Sequence, residues 1–278
     1  MITCELFGGL GNQLFILFAC ISYAIENNQP FFFYETIQIR GITKRNTYWR
    51  SIFNKLNPYL LSMENSPHID VMIKEEEMNT ENCENKNVLL YGYFQSDKYF
   101  KKYLPLILKL LEIEEQKQVL LTQNKFFSQN ILNKCISIHF RLGDYIHMQQ
   151  YHNLLTFDYY KKALEYMLSK IDYQPIFLYF CEDKDIENVN KILIPLKKDF
   201  PKCIFHKINS LFLDWEQMLL MSSCKHHIIA NSTFSWWAAY LNSYTEKIVC
   251  YPSQWLGPKN KYSIDELFPE KWIKIEII

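Results

Sequence analysis

Three stretches of this chain place polar or charged side chains where strands should end, and each has its own chemistry. In Cys135 to Tyr145, CISIHFRLGDY, alternation along a strand puts Ile136, Ile138, Phe140 and Leu142 on one face and Ser137, His139 and Arg141 on the other. A central strand of a parallel sheet is normally apolar on both faces, and a buried arginine is costly unless paired. Arg141 therefore either forms a structural pair with Asp144 or presents its planar fork to a phosphate while Asp144 fixes the loop; the residues alone leave both open. In His226 to Leu241, HHIIANSTFSWWAAYL, a short apolar strand runs into Asn231, Ser232, Thr233 and Ser235 and then into a helix. Free amides at a helix N-terminus, its positive dipole end and nearby hydroxyls make an anion site. Plain helix capping by Ser or Asn uses the same residues. After Ile176 to Cys181 come Glu182, Asp183 and Asp185, which suit ribose hydroxyls or the donor edge of guanine. The plainer reading is that these acids complement the dipole of the following helix.

A fourth stretch supplies bare backbone and amides. MITCELFGGLGNQLF places Gly8, Gly9 and Gly11 immediately before Asn12 and Gln13. A dinucleotide fingerprint needs a third glycine where Leu14 stands, and a P-loop needs Gly-Lys-Ser/Thr, so both templates fail. This argues against a dinucleotide oxidoreductase.

These stretches need strand ends to sit on. Ile2 to Phe7 reads as a strand, the glycines as a turn, and Leu14 to about Glu26 as a buried helix; the aromatic run Phe31 to Tyr34 follows as a second strand, giving a parallel pair with a helical crossover. Val88 to Phe94 reads as a strand, Asp97 to about Ser128 as mostly helical, and Glu75 to Asn87 as a solvated acidic loop without a metal site. Beyond a boundary near residues 125 to 134 the rhythm is clearer. Strands at 135–142, 176–181 and 227–230 alternate with helices at 158–169, 185–196 and 214–223 and one beginning near Ser232, which implies a doubly wound parallel sheet with ligands at strand C-termini.

Bulk properties narrow the class. At 278 residues, two modest domains are expected, and 49% apolar with 22% charged residues describes a globular chain. Thirty basic against thirty acidic residues leave no net charge, so the broad field that draws proteins to nucleic acid is missing. Eight scattered cysteines with no CxxC pair favour free thiols in a reducing compartment and offer no zinc site. The apolar run from Leu14 to Ile25 lacks a basic leader and is shorter than the ~20 residues a membrane helix needs, so no transmembrane segment is expected and the expected location is cytoplasmic.

Together the motifs resemble the α-1,2-fucosyltransferases of glycosyltransferase family 11. GGLGNQLF at Gly8 to Phe15, GYFQSDKYF at Gly92 to Phe100, HFRLGDY at His139 to Tyr145, NSTFSWWAAYL at Asn231 to Leu241 and YPSQW at Tyr251 to Trp255 are similar to that family's motifs, in its order and over nearly the whole chain. The resemblance implies a GT-B-like α/β fold of two facing Rossmann-type lobes with parallel sheets and a cleft between them: residues 1–130 on the acceptor side and 131–278 binding GDP-fucose. It implies inverting transfer of fucose to the 2-hydroxyl of a galactose-terminated glycan acceptor. Carried over by position, Arg141 holds the GDP diphosphate, with His139 and Asp144 completing that motif, and Asn231, Ser232, Thr233, Phe234 and Ser235 form the donor-phosphate segment. Asp183 falls where related enzymes have an acidic pair, although Cys181 and Glu182 replace a usual Ser and Asp. Gly11, Asn12 and Gln13 match the loop near the reacting centre. Many members carry a second arginine where this chain has Leu142, which on a strand faces away from Arg141 and packs into the core.

Displacement of GDP needs fixed positive charge against the leaving diphosphate, which Arg141 and the helix near Ser232 supply, so no metal or other cofactor is expected. The acceptor hydroxyl must lose a proton; His139, Asp144 and Glu5 are candidate bases among which the sequence does not choose, while Asn12 orients by hydrogen bonds.

Overall fold

The computed structural model describes residues 1–39, 44–78, 85–124, 127–209, 211–260 and 263–277. The chain divides into two compact units, Met1–Gln116 with Asp265–Phe268, and Lys117–Ile264 with Pro269–Ile278. Lobes of 1–130 and 131–278 cut the chain later than this. The difference lies in the helix Ile113–Gln123: Gln116 donates to the Ile52 carbonyl of the first unit, and Lys117 donates to the Leu241 carbonyl of the second. The excursion of 265–268 into the first unit is held by an ion pair between Lys98 and Glu266.

In the first unit, strands β1 (Ile2–Cys4), β2 (Phe33–Tyr34), β3 (Gln38–Ile39), β4 (Arg45–Asn46), β5 (Leu60–Leu61), β6 (Val71–Lys74) and β7 (Val88–Tyr91) follow in order. Three of them form the parallel sheet β1-β7-β6. The expected pairing of the opening strand with the aromatic run shrinks to one parallel bridge, Ile2 to Phe31, and the rest of that run pairs with β5 instead. Helix α1 (Leu10–Glu26) is apolar all round, which marks a helix enclosed by protein, and every residue from Leu10 to Ala24 is buried except Asn12. Beyond β7 the chain makes a 3₁₀ turn at Asp97–Tyr99, then α2 (Leu104–Leu110) and α3 (Ile113–Gln123).

Glu75 departs from the expected solvated loop. Its carboxylate accepts the backbone N–H groups of Tyr93 and Phe94 at 3.0 and 2.8 Å, bracing the loop after β7. Residues 79–84 of that acidic stretch lie outside the described residues.

The second unit contains α4 (Gln129–Leu132), β8 (Cys135–His139), α5 (Phe157–Lys170), β9 (Ile176–Phe180), α6 (Ile186–Asp199), β10 (Ile204–Lys207), α7 (Asp214–Ser222), β11 (His226–Ile228), α8 (Thr233–Tyr240), β12 (Val249–Pro252) and β13 (Ile273–Ile275). Its strands make one six-stranded parallel sheet in the order β10-β9-β8-β11-β12-β13. Counted from β8, this is the doubly wound 3-2-1-4-5-6 order, so the topological switch lies between the C-terminal ends of β8 and β11. The parallel α/β class read from the sequence is therefore the class observed.

Ile136, Ile138, Phe140 and Leu142 all enter the hydrophobic core, packed with Tyr159, Tyr160, Ala163, Leu164 and Met167 along one face of α5. That confirms the alternation read from the sequence and puts Leu142 inside. Two adjacent tyrosines pin the switch point from below: Tyr160 donates to the His139 carbonyl at 3.0 Å, and Tyr159 donates to the carbonyls of Ile229 and Cys250. Among the described residues no helix is long and apolar enough to cross a membrane, and the described cysteines are free thiols.

Candidate active site

At the end of β8 the backbone leaves the sheet and Arg141 reaches two carboxylates. Its Nη1 donates to Glu182 Oε1 at 2.7 Å, and its Nη2 donates to Asp144 Oδ1. The guanidinium carbon also sits 4.9 Å from the centre of the Tyr145 ring. Burial opposes this charge, yet Asp144, Tyr145 and Glu182 hold the guanidinium pKa above its ordinary value. Both readings of Arg141 thus keep their basis: the pair with Asp144 exists, and it fixes a permanent cation beside the switch point.

Gly143 permits that approach. It has φ +41, and a Cβ there would lie 2.9 Å from Glu182 Oε1 and 3.1 Å from Arg141 Nη1. Its N–H donates to the buried carboxylate of Asp185 at 2.7 Å, which ties the loop after β8 to the loop after β9. The acid run after β9 therefore divides its labour. Glu182 serves Arg141, Asp185 holds the Gly143 amide, and Asp183 pairs with Lys207 at the end of β10.

His139 is buried, with its ring 5.4 Å from the Phe234 ring and its Nδ1 enclosed without a hydrogen-bond partner. Burial, then the charge of Arg141, lowers its pKa to about 3, so the imidazole is neutral. Ser137, two residues earlier on the same face, turns away from the site and bonds His227 Nδ1 at 2.7 Å.

The segment after β11 shows both of its expected aspects. Ser232 caps α8, its hydroxyl accepting from the Phe234 N–H at 3.3 Å. Asn231 is buried, and its amide donates to the carbonyls of Asn153 and Trp255 at 2.9 and 3.1 Å, so YPSQW serves here to fasten the loop. Ser235 is fully buried and donates back to the carbonyls of Ala230 and Ser232, so its hydroxyl is used within the turn. Thr233 and Phe234 are half-buried on the first turn of α8.

In the first unit, the two amides of the opening loop part company. Gln13 is fully buried and donates to the carbonyls of Gly8 and Asn46 at 3.1 and 2.9 Å, which leaves it no surface for a ligand. Gly11 is buried in the first turn of α1. Asn12 remains partly exposed, and its Oδ1 accepts from Gln95 at 3.1 Å, joining GGLGNQ to the GYFQS loop.

Residues 63–276 match the family model for glycosyl transferase family 11. The chain belongs to glycosyltransferase family 11. Its curated relatives include the O-antigen biosynthesis glycosyltransferase WbnK of Escherichia coli, 32% identical over 194 residues. That match covers 67% of this chain and 60% of WbnK. The Alpha-1,2-colitosyltransferase of Escherichia coli is 27% identical over 301 residues, covering 99% of each. Among solved structures, POFUT1 in complex with GDP shares 12% identity at a TM-score of 0.48, covering 90% of this chain and 97% of that one.

This family 11 chain also carries site residues that its sequence did not mark. His152 stacks on Tyr145, ring centres 4.1 Å apart and 11° between planes, so a stack of Arg141, Tyr145 and His152 lines the loop after β8. Burial lowers the His152 pKa, against the pull of Asp144. No spacing rule links positions 145 and 152; only the path of the intervening loop brings them together. Among the described residues no group of three or more His, Cys, Asp or Glu side chains is arranged to hold a metal ion.

Proposed function

We propose that this family 11 chain transfers L-fucose from GDP-β-L-fucose to the 2-hydroxyl of a terminal galactoside, with inversion at the sugar carbon and without a metal. The observation that carries the reading is the fixed Arg141 guanidinium at the topological switch of a 3-2-1-4-5-6 sheet, in the same unit as the first turn of α8. Breaking the sugar–phosphate bond leaves negative charge on the departing diphosphate, and a preorganised cation with helix-end amides stabilises that charge where it develops. Asp144 and Glu182 keep the fork oriented before the donor arrives. His139, neutral with a pKa near 3, is poorly matched to taking a hydroxyl proton and suits a packing and hydrogen-bonding role beside the donor.

Transfer of colitose is a second reading, favoured by the full-length likeness to Alpha-1,2-colitosyltransferase, which supports the same 1,2 linkage. Purified chain supplied with a panel of galactosides and, in parallel, with GDP-fucose or the corresponding nucleotide-activated colitose, with linkage analysis of the product, separates the two. Arg141→Ala is expected to lower turnover by about 10² to 10³ with the fold intact. Comparable turnover in that variant would remove Arg141 from the donor site.

A further inference from the structure

The GYFQS motif is not used by the chemistry above, and it sits beside a cluster with chemistry of its own. The loops after β1 and β7 leave adjacent parallel strands at one edge: Cys4 pairs in register with Leu90, and the Glu5 N–H donates to the Leu90 carbonyl, which sets Glu5 beside Tyr91. Phe7 packs edge-on against Tyr91 with ring centres 5.1 Å apart, and tilted against Tyr93 at 5.8 Å. Tyr91 is 41% and Tyr93 40% exposed, and Glu5 is exposed and near enough to Tyr34 to help raise the pKa of that phenol, after burial and Cys4. Partly exposed aromatic rings grouped in this way offer apolar surface to a ligand.

The backbone under this patch is braced. The Glu75 carboxylate clamps the Tyr93 and Phe94 amides, a side chain at Gly92 would come within 2.6 Å of Glu75 Cβ, and Gln95 reaches Asn12. The loop that carries Tyr93 is thus fixed before any ligand arrives, and Phe7 packs against both tyrosine rings, which lowers the ordering cost of binding. Aromatic faces bordered by a carboxylate and an amide, at the carboxyl edge of a parallel sheet, match a ligand with one C–H face and a rim of hydroxyls. A galactopyranoside is such a ligand: its axial 4-hydroxyl leaves C3–H, C4–H and C5–H on one side of the ring.

We propose that Phe7, Tyr91 and Tyr93 form the platform on which the acceptor's terminal galactosyl ring stacks, with Glu5 and the Asn12 amide hydrogen-bonding its hydroxyls. The identity of the occupant rests on the transferase reading above, whereas its binding does not require turnover. The test uses the full chain and methyl β-D-galactoside as probe. Saturation-transfer NMR without donor should show the strongest transfer at H3, H4 and H5, and Tyr91→Ala or Tyr93→Ala should abolish it while GDP affinity is unchanged. In steady state each alanine variant should raise the acceptor KM about tenfold, with donor KM within about twofold, and Tyr93→Phe should restore it. Absence of galactoside binding by the wild-type chain overturns the platform, as does an unchanged acceptor KM in both alanine variants. Galactoside binding without any use of GDP-fucose upholds the platform and instead defeats the donor assignment.

Discussion

Gly143 governs where Arg141 can rest. A non-glycine residue at φ +41 costs about 1–2 kcal/mol, and its Cβ would press on both Glu182 and the guanidinium. Gly143→Ala should therefore lower the melting temperature modestly and, on the GDP-fucose reading proposed above, weaken GDP binding by tenfold or more, because the Arg141–Glu182 pair must shift while Asp144 still holds the other end of the fork. Calorimetric titration with GDP checks this, and wild-type affinity in a folded variant would show that the loop has slack. The same scale shows what the sequence made legible. Alternation separated Leu142, in the core, from Arg141, because a period of two needs no knowledge of partners, although the strand expected to run to Leu142 ends at His139. Helix α1 gave no such guide. It is apolar all round, so nothing in the pattern indicates that Asn12 keeps some surface while its neighbour Gln13 is sealed inside.

Helix α8 has opposite chemistry at its two ends. Its N-terminus carries the Ser232 cap, and its C-terminal carbonyls receive two lysines: Lys117 donates to Leu241 O at 2.6 Å, and Lys247 to the carbonyls of Asn242 and Tyr240. Burial, then the charge of Lys117, lowers the Lys247 pKa to about 8. Because that value is depressed, the unfolded chain binds this proton more tightly, and native stability gains as pH rises from about 8 towards the unfolded value near 10.4. Lys117→Met removes one of the two causes, so the Lys247 midpoint should move up and the alkaline gain should shrink. NMR titration of labelled lysines measures this directly; an unmoved midpoint would mean that burial alone sets it. At this scale, long elements were legible and short ones were not. α5, α6 and α7 follow their apolar periodicity, but β10, β12 and β13 have three or four residues each, and β10 is a partly exposed edge strand whose Ile204 faces solvent. Strand order escapes local reading altogether, since β8 pairs with β11 about ninety residues away, and His152 joins the site through the course of a loop.

Across the whole molecule the charges balance at pH 7, so the first losses of stability below neutrality fall on particular buried groups, and general repulsion grows as the carboxylates protonate at lower pH. Three histidines of the six-stranded sheet are held neutral. His139 is lowered to about 3 and His226 to about 4, each chiefly by burial, and His227 falls well below its ordinary value for the same reason. Two of them also need a bare ring nitrogen. His226 Nδ1 accepts the Ile248 N–H at 2.9 Å, and His227 Nε2 accepts from Asn242, whose amide is oriented because its Oδ1 takes the Tyr244 N–H. His227 then carries its proton on Nδ1 and donates to Ser137. As pH falls below about 6.5, the unfolded chain takes up a proton at each histidine and the native sheet does not. Each site then removes up to about 1.4 kcal/mol of stability per pH unit, down towards its depressed native pKa. Denaturant unfolding at pH 7, 5.5 and 4.5, followed by hydrogen exchange, should show the second unit losing protection first, because all three histidines belong to its sheet. His227→Gln should flatten the slope by about one proton while leaving some of the hydrogen bonding in place. Stability that stays level from pH 7 to pH 4.5 would mean that these rings are already protonated in the native sheet, and the bonds to Ile248 and Asn242 would then have to be reassigned.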